Sequence, residues 1–181
     1  MATDSSKVRV AVTGAVSVGA TTAAAPTGTA SARTGFTDLG LVGDGGVTEA
    51  RGRSTNSIKA WQNGAEVRKV VTDGELTYHF VMLETKKETV ELYYGTTVTQ
   101  TVTEGNFTII PTSTGGRQSF VLDVVDGAEL ERVYIPQGEV TDVGDKVYAN
   151  GEPIGYEVTI TAYLDATLGA NAEVWATALK S

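Results

Sequence analysis

His79 is the single histidine of the chain, and it falls in mid-strand among Thr77, Tyr78 and Phe80. A general base needs an orienting partner and a nucleophile within reach, and no such set accompanies it, so it reads as a packing or hydrogen-bonding residue. Gly116-Arg-Gln-Ser119-Phe120 lacks the second glycine of a nucleophile elbow. Val42-Gly-Asp-Gly-Gly46 is glycine-rich, yet no Gly-Lys-Ser/Thr follows and no helix opens after it, which makes it a flexible turn rather than a phosphate cradle. Asp142-Val-Gly-Asp145 offers carboxylate oxygens for Ca²⁺ without the spacing or closing glutamate of an EF-hand. Asn106-Phe-Thr108 is a glycosylation sequon with no secretory signal before it. The acids cluster beside hairpin turns, where hydration accounts for them better than pairing across a glycosidic bond. Neither catalysis nor a metal or cofactor is expected.

The composition agrees with a building block. A chain of 181 residues suits one domain over 1–181. Its 21 glycines, with heavy use of Thr and Val, favour strands and turns over helices. Cysteine is absent, which removes disulfides and thiolate metal sites. The start of the chain lacks the basic region and apolar run of a signal peptide, and no segment is apolar for long enough to span a bilayer as a helix. A soluble protein made in a cytoplasm is expected. The net charge of −8 is concentrated between Gln118 and Ile160, where nine acids face only Arg132 and Lys146. That distribution argues against phosphate-backbone binding, which needs clustered Lys and Arg.

The elements follow from periodicity. Val8, Val10 and Val12 alternate with Arg9, Ala11 and Thr13 as a first strand ending near Gly14. From about 19 to 46 the pattern dissolves into Ala, Thr, Gly and Pro, with little to bury, and reads as a mobile loop or an arm whose partner lies outside its own subunit. The run Ser57–Gly95 reads as three short strands turned at Asn63-Gly64, a type I′ signal, and at Asp73-Gly74. A helix over about 85–94 follows, with a Thr85/Glu88 capping box and Gly95 at its left-handed C-cap. Further strands are expected over Thr97–Thr103, Phe107–Ile110, Phe120–Val125, Leu130–Ile135 and Glu157–Leu164, with a hairpin turn at Asn150-Gly151. The end, Ala172–Leu179, fits strand or helix. Many short strands and one flanking helix make a mainly β protein, a β-sandwich or partly closed barrel.

Several stretches resemble the major tail proteins (tail tube proteins) of long, non-contractile-tailed bacteriophages of the siphovirus type, especially those of actinobacterial hosts. They are the opening strand Val8–Val16, the loop ending Gly35–Gly40, Ser57-Ile-Lys-Ala-Trp61-Gln-Asn-Gly64, and Leu76–Thr85 leading to Val90–Gly95. The resemblance implies a β-sandwich with a flanking helix, six-membered rings of identical subunits, and stacking of the rings into a hollow tube. It further implies assembly in the host cytoplasm around a tape-measure protein with tail assembly chaperones, and passage of genome DNA through the tube without specific binding. On this reading Pro26, Arg33 and Phe36 of the arm and Tyr93 and Tyr94 of the helix are candidate inter-subunit contacts. Asp123, Asp126, Glu129 and Glu131 are candidate lumen-facing acids, placed to repel DNA phosphates. The competing reading is an Ig-like adhesion or carbohydrate-binding module, which shares the strand pattern but has no need of the apolar-poor arm.

Overall fold

The structure, a computed structural model, describes Asp4 and residues 7–180. The rest of the Met1–Ser6 stretch, and Ser181, lie outside the described residues. Along the described chain run β1 (Thr13–Gly19), β2 (Phe36–Asp38), β3 (Val42–Lys59), β4 (Glu66–Met82), helix α1 (Lys87–Tyr94), β5 (Thr99–Gln100), β6 (Gly105–Asn106), β7 (Gln118–Asp126), β8 (Glu129–Val143), β9 (Tyr156–Ala162) and β10 (Glu173–Ala176). A 3-10 turn, Thr177–Leu179, follows. The protein is mainly β with one helix, as expected.

One antiparallel sheet carries the fold. Its strands run β2-β1-β7-β8-β9-β4-β3, with β10 added beside β8, while β5 and β6 form a separate ladder. Alternate residues of β1, β7, β8, β9 and β4, among them Val16, Phe120, Leu122, Val133, Ile135, Ile160, Tyr78 and Phe80, enter one core with Val90 and Leu92 of α1. Strands near opposite ends of the sheet therefore line the same core, and the sheet curls around it. The link between β2 and β3 bridges the ends: Leu39 N donates to Val16 O at 2.8 Å, and Leu83 N donates to Leu41 O at 2.9 Å. No strand pairing closes the circle among the described residues. At the centre, β8 meets β7 along 129–138 on one side and, on the other, β10 at 131–134 and β9 at 138–143. It crosses the core at Gly138, where a Cβ would come within 2.6 Å of Phe120 Cδ2.

Several expectations are corrected. The first strand begins at Thr13, so Val8 and Val10 lie outside it and are exposed. Only Val12 extends the ladder, through its N–H to Val125 O. Asp73-Gly74 does not turn. β4 runs straight through it, and the register slips between Ser54↔Asp73 and Thr55↔Val71, leaving Thr72 as a bulge. The expected pair of short strands is thus a single long one. Asn63-Gly64 does turn the chain, but only Gly64 has positive φ, so the turn is not type I′. Gly64 N donates to Ala60 O, and Ala60 N to Ala65 O closes a wider loop. The capping box does not form: Lys86 is the N-cap with no side-chain bond to the helix amides, and the Thr85 hydroxyl is taken by Tyr156 Oη at 3.0 Å. Tertiary contacts hold the start of the helix against the β2–β3 link, with Lys86 Nζ donating to Asp38 O and Thr89 Oγ1 to Leu39 O. Gly95 does hold the left-handed C-cap, at φ 58°.

Within the strand expected over Thr97–Thr103 only the two-residue β5 forms, paired with β6 just before Phe107, while residues 107–110 form no strand and Ile109 and Ile110 are exposed. Gly151 turns the chain at φ 87° within the connection 144–155, which joins the paired strands β8 and β9, so the expected hairpin forms with a long loop. The ambiguous carboxy-terminal segment is β10 followed by the 3-10 turn. Within 19–46, residues 20–35 form no strand, whereas β2 and the start of β3 do.

Candidate assembly surfaces

β3 and β4 pair from Val42↔Met82 out to Lys59↔Glu66. Strand β9, however, covers β4 only over Thr77–Met82. The remainder is a two-stranded ribbon that leaves the body and buries neither face: residues 48–56 and 61–75 are all exposed. Such a ribbon has no core of its own. It nonetheless displays Ile58, Val67, Val71 and, at its tip, Trp61 with 96% of its surface free. Its twist and register are kept by local polar bonds, including Ser57 Oγ to Glu66 Oε2 at 2.7 Å and Thr72 Oγ1 to Ser54 O. Among the described residues the outer edge of β3 carries no partner strand. A long open edge is a template for another chain, and clustered exposed apolar groups mark interaction surfaces.

The segment 20–35 is pinned to its own sheet. Arg132, 6% exposed, grips Asp123 through Nε–Oδ1 at 2.6 Å and Nη2–Oδ2 at 3.0 Å. Its Nη1 donates to Gly28 O and Ser31 O. Arg33 adds a second cation, 3.4 Å from Asp123 and donating to Ser17 Oγ. Pro26 is buried, and Phe36 meets Tyr134 edge-on at 6.3 Å. A loop with little to bury is therefore ordered within its own subunit by charge and carbonyl bonds.

The carboxy-terminal end of α1 organises an aromatic cluster. Tyr93 lies edge-on to Tyr94 at 4.8 Å and to Tyr156 at 5.4 Å, and its hydroxyl donates to Gly144 O. Lys146 sits over the Tyr156, Tyr148 and Tyr94 rings at 4.6, 5.0 and 5.7 Å. Burial pushes the Tyr93 phenol up, with neighbouring Tyr94 adding to it. Beside this cluster opens a cleft of about 390 Å³ between α1, loop 109–114 and β8, lined by Tyr93, Tyr94, Ile109, Ile110, Asp142 and Val143 among others.

The four acids singled out in β7 and β8 do not share a face. Asp126, Glu129 and Glu131 follow the face of Leu122 and Val133, beyond the end of the core, whereas Asp123 points the other way, into Arg132. Asp126 accepts from Val10 N, and Glu129 accepts from the Thr177 hydroxyl. Arg9 stands 4.0 Å from Asp126 and 3.7 Å from Glu129. The Thr177 hydrogen bond holds the Glu129 carboxyl below its usual range. Burial, then Glu49, pushes the Tyr78 phenol far up, and its hydroxyl donates to Glu49 Oε2.

His79 lies 2.7 Å from Glu157 across the β4–β9 ladder, a diagonal cross-strand pair. Among the described residues no three His, Cys, Asp or Glu side chains converge as a metal site. Sequence reasoning missed the roles of Arg132, Lys146 and the ribbon. One signal was there to be read: Arg132 and Lys146 are the two lone bases of an acidic segment, and both are held inside it.

A curled antiparallel body that extends an unsupported ribbon defines a structural subunit. The model of the phage tail tube protein family matches residues 1–178, and the chain belongs to that family. It is thereby a structural component of a phage tail and of the virion, one that self-assembles into the tail tube. No curated protein sequence matches the chain significantly.

Proposed function

We propose that this chain forms six-membered rings that stack into the hollow tube of a long, non-contractile tail, and that the genome travels through this tube without specific binding. Tube growth around a tape-measure protein, with assembly chaperones in the host cytoplasm, belongs to the same reading. The observation that carries it is the β3–β4 ribbon. Twelve residues of extended strand reach roughly 40 Å, and a monomer gains nothing from holding that length and its apolar side chains in water. In a polymer of identical subunits the open β3 edge is covered and the apolar residues are buried. Tyr93 and Tyr94 serve in contacts through the cleft that they line. Pro26, Arg33 and Phe36 serve by fixing the loop 20–35 that a neighbouring subunit meets.

The test is to replace residues 53–74 by a two-residue Asn-Gly turn, which joins the paired residues Gly52 and Glu75. The shortened chain is expected to remain folded by circular dichroism and thermal melting, yet to form no tubes by negative-stain microscopy at concentrations where the full chain does. Class averages of the full-length tubes viewed end-on are expected to have sixfold symmetry. Tubes from the shortened chain would sink the role given to the ribbon.

A further inference from the structure

The positive charge of the ribbon gathers at its tip. Over residues 48–75 its five cations stand against Glu49, Glu66, Asp73 and Glu75, a net of +1 in a chain of −8, but over 57–70 Lys59, Arg68 and Lys69 face Glu66 alone, a net of +2. Two of the five cations have local partners, Arg51 with Glu49 and Lys69 with Glu66. Arg53, Lys59 and Arg68 form no ion pair among the described residues. The ribbon tip thus offers a bare indole beside uncommitted positive charge.

The cleft by α1 has the complementary chemistry. Ile109, Ile110 and Val143 line it and are exposed. Asp142 lies on its wall, and Asp145 stands close enough to act on the Tyr93 phenol. Both acids are exposed, and neither forms an ion pair among the described residues. Its size falls within the ~300–1,000 Å³ of clefts that bury a ligand. A second apolar cleft, near Val10, Val124 and Ala178, suits a cation less well, because its Asp126 and Glu129 already face Arg9.

A subunit cannot fill its own cleft. Val143 pairs with Val158, and Val158 with Phe80, so the cleft lies level with Phe80 on β4. The continuous strand from Glu66 to Phe80 separates that level from the tip by roughly 45 Å. Insertion must therefore be in trans and head-to-tail, the arrangement that makes rings or filaments rather than closed twofold dimers.

We propose that Trp61 of one copy seats in the cleft formed by α1, loop 109–114 and β8 of a second copy, with Lys59 and Arg68 set against Asp142 and Asp145. This rests on the assembly reading above and names the partner surface for the ribbon. Tryptophan with flanking cations is the composition of an interface hot spot, and the opposed charges select the register.

The chain has no cysteine, so an engineered pair reports cleanly. Gln62→Cys and Thr112→Cys place thiols beside the indole and on the cleft wall while keeping Trp61. Tubes containing both substitutions should give a ladder of covalent multimers on a non-reducing gel, and tubes carrying either alone should not. Separately, K59E/R68E should raise the concentration needed for assembly by ~10-fold or more, and adding D142K/D145K should restore it. Tubes that form normally but yield no ladder would overturn the docking site and leave the tube reading standing. A ladder without charge rescue would overturn the ionic part. Failure of the unaltered chain to assemble at all would remove the reading beneath, and this proposal with it.

Discussion

Arg132 and Asp123 face each other across the β7–β8 ladder and join through two nitrogens and both carboxylate oxygens, at 2.6 and 3.0 Å. The same guanidinium holds the carbonyls of Gly28 and Ser31, so one side chain ties an irregular loop to the centre of the sheet. Removing one partner of such a pair leaves a poorly hydrated charge, at a cost of about 3–5 kcal/mol. Arg132→Met is expected at about 3 kcal/mol, because Arg33 still stands 3.4 Å from Asp123. Urea unfolding measures this, and thermolysin should cut within 20–35 in the variant first. Arg132→Lys keeps the charge but not the planar fork, and should protect the loop only partly.

At the end of α1, Gly95 has φ 58°, and a Cβ there would come within 2.5 Å of Gly115 N and 2.6 Å of Ser113 O. Both contacts are backbone and cannot swing aside. Gly95→Ala should therefore cost about 3 kcal/mol, combining a left-handed penalty with overpacking. Differential scanning calorimetry should record a Tm lower by roughly 6–12 °C.

The Thr177 hydroxyl stabilises ionised Glu129. A carboxylate whose pKa is lowered on folding adds stability above its unfolded pKa of ~4.3, and that stability is lost as pH falls through the folded value. Thr177→Val should accordingly lower Tm near neutral pH, with the difference narrowing as pH falls through the folded value, down to the part that the Leu130 N–H bond to the same hydroxyl contributes. A constant difference across the range would mean that the hydroxyl does not act through Glu129.

If the acids at the β7–β8 turn line the channel of the assembled tube, reversing them will slow DNA passage. Asp126→Lys with Glu131→Lys is the informative pair, since Asp123 is already neutralised by Arg132 and replacing it would break the clamp. Tails carrying both changes should release their genome several-fold more slowly than the parent in a receptor-triggered dye assay. Ejection at the parental rate would place these acids elsewhere.

Strand alternation in Phe120–Val124 and in Val158–Ala162 was legible because one face of each is buried, and period two leaves little choice. The helix and its Gly95 cap were legible for the same local reason. Asp73-Gly74 misled because a dipeptide suited to a turn also suits a bulge, and only the partner strand decides which forms. Thr85 and Glu88 misled because a tyrosine distant in sequence took the hydroxyl. The ribbon was the deepest failure: Ile58, Trp61, Val67 and Val71 look like core residues, and nothing local says that their strands run beyond it. The loop 20–35 looked free because its anchor, Arg132, lies about a hundred positions along the chain.

A cationic tip on a ribbon that leaves an acidic body also gives each subunit an uneven charge distribution. At physiological ionic strength the field of a ribbon or body fades over about 8 Å, so it acts only in the last moments of approach, when it can turn an arriving subunit the right way round. Orientation before contact speeds productive encounters without deepening the final well. Salt should thus govern how fast such a polymer grows more strongly than how long it lasts.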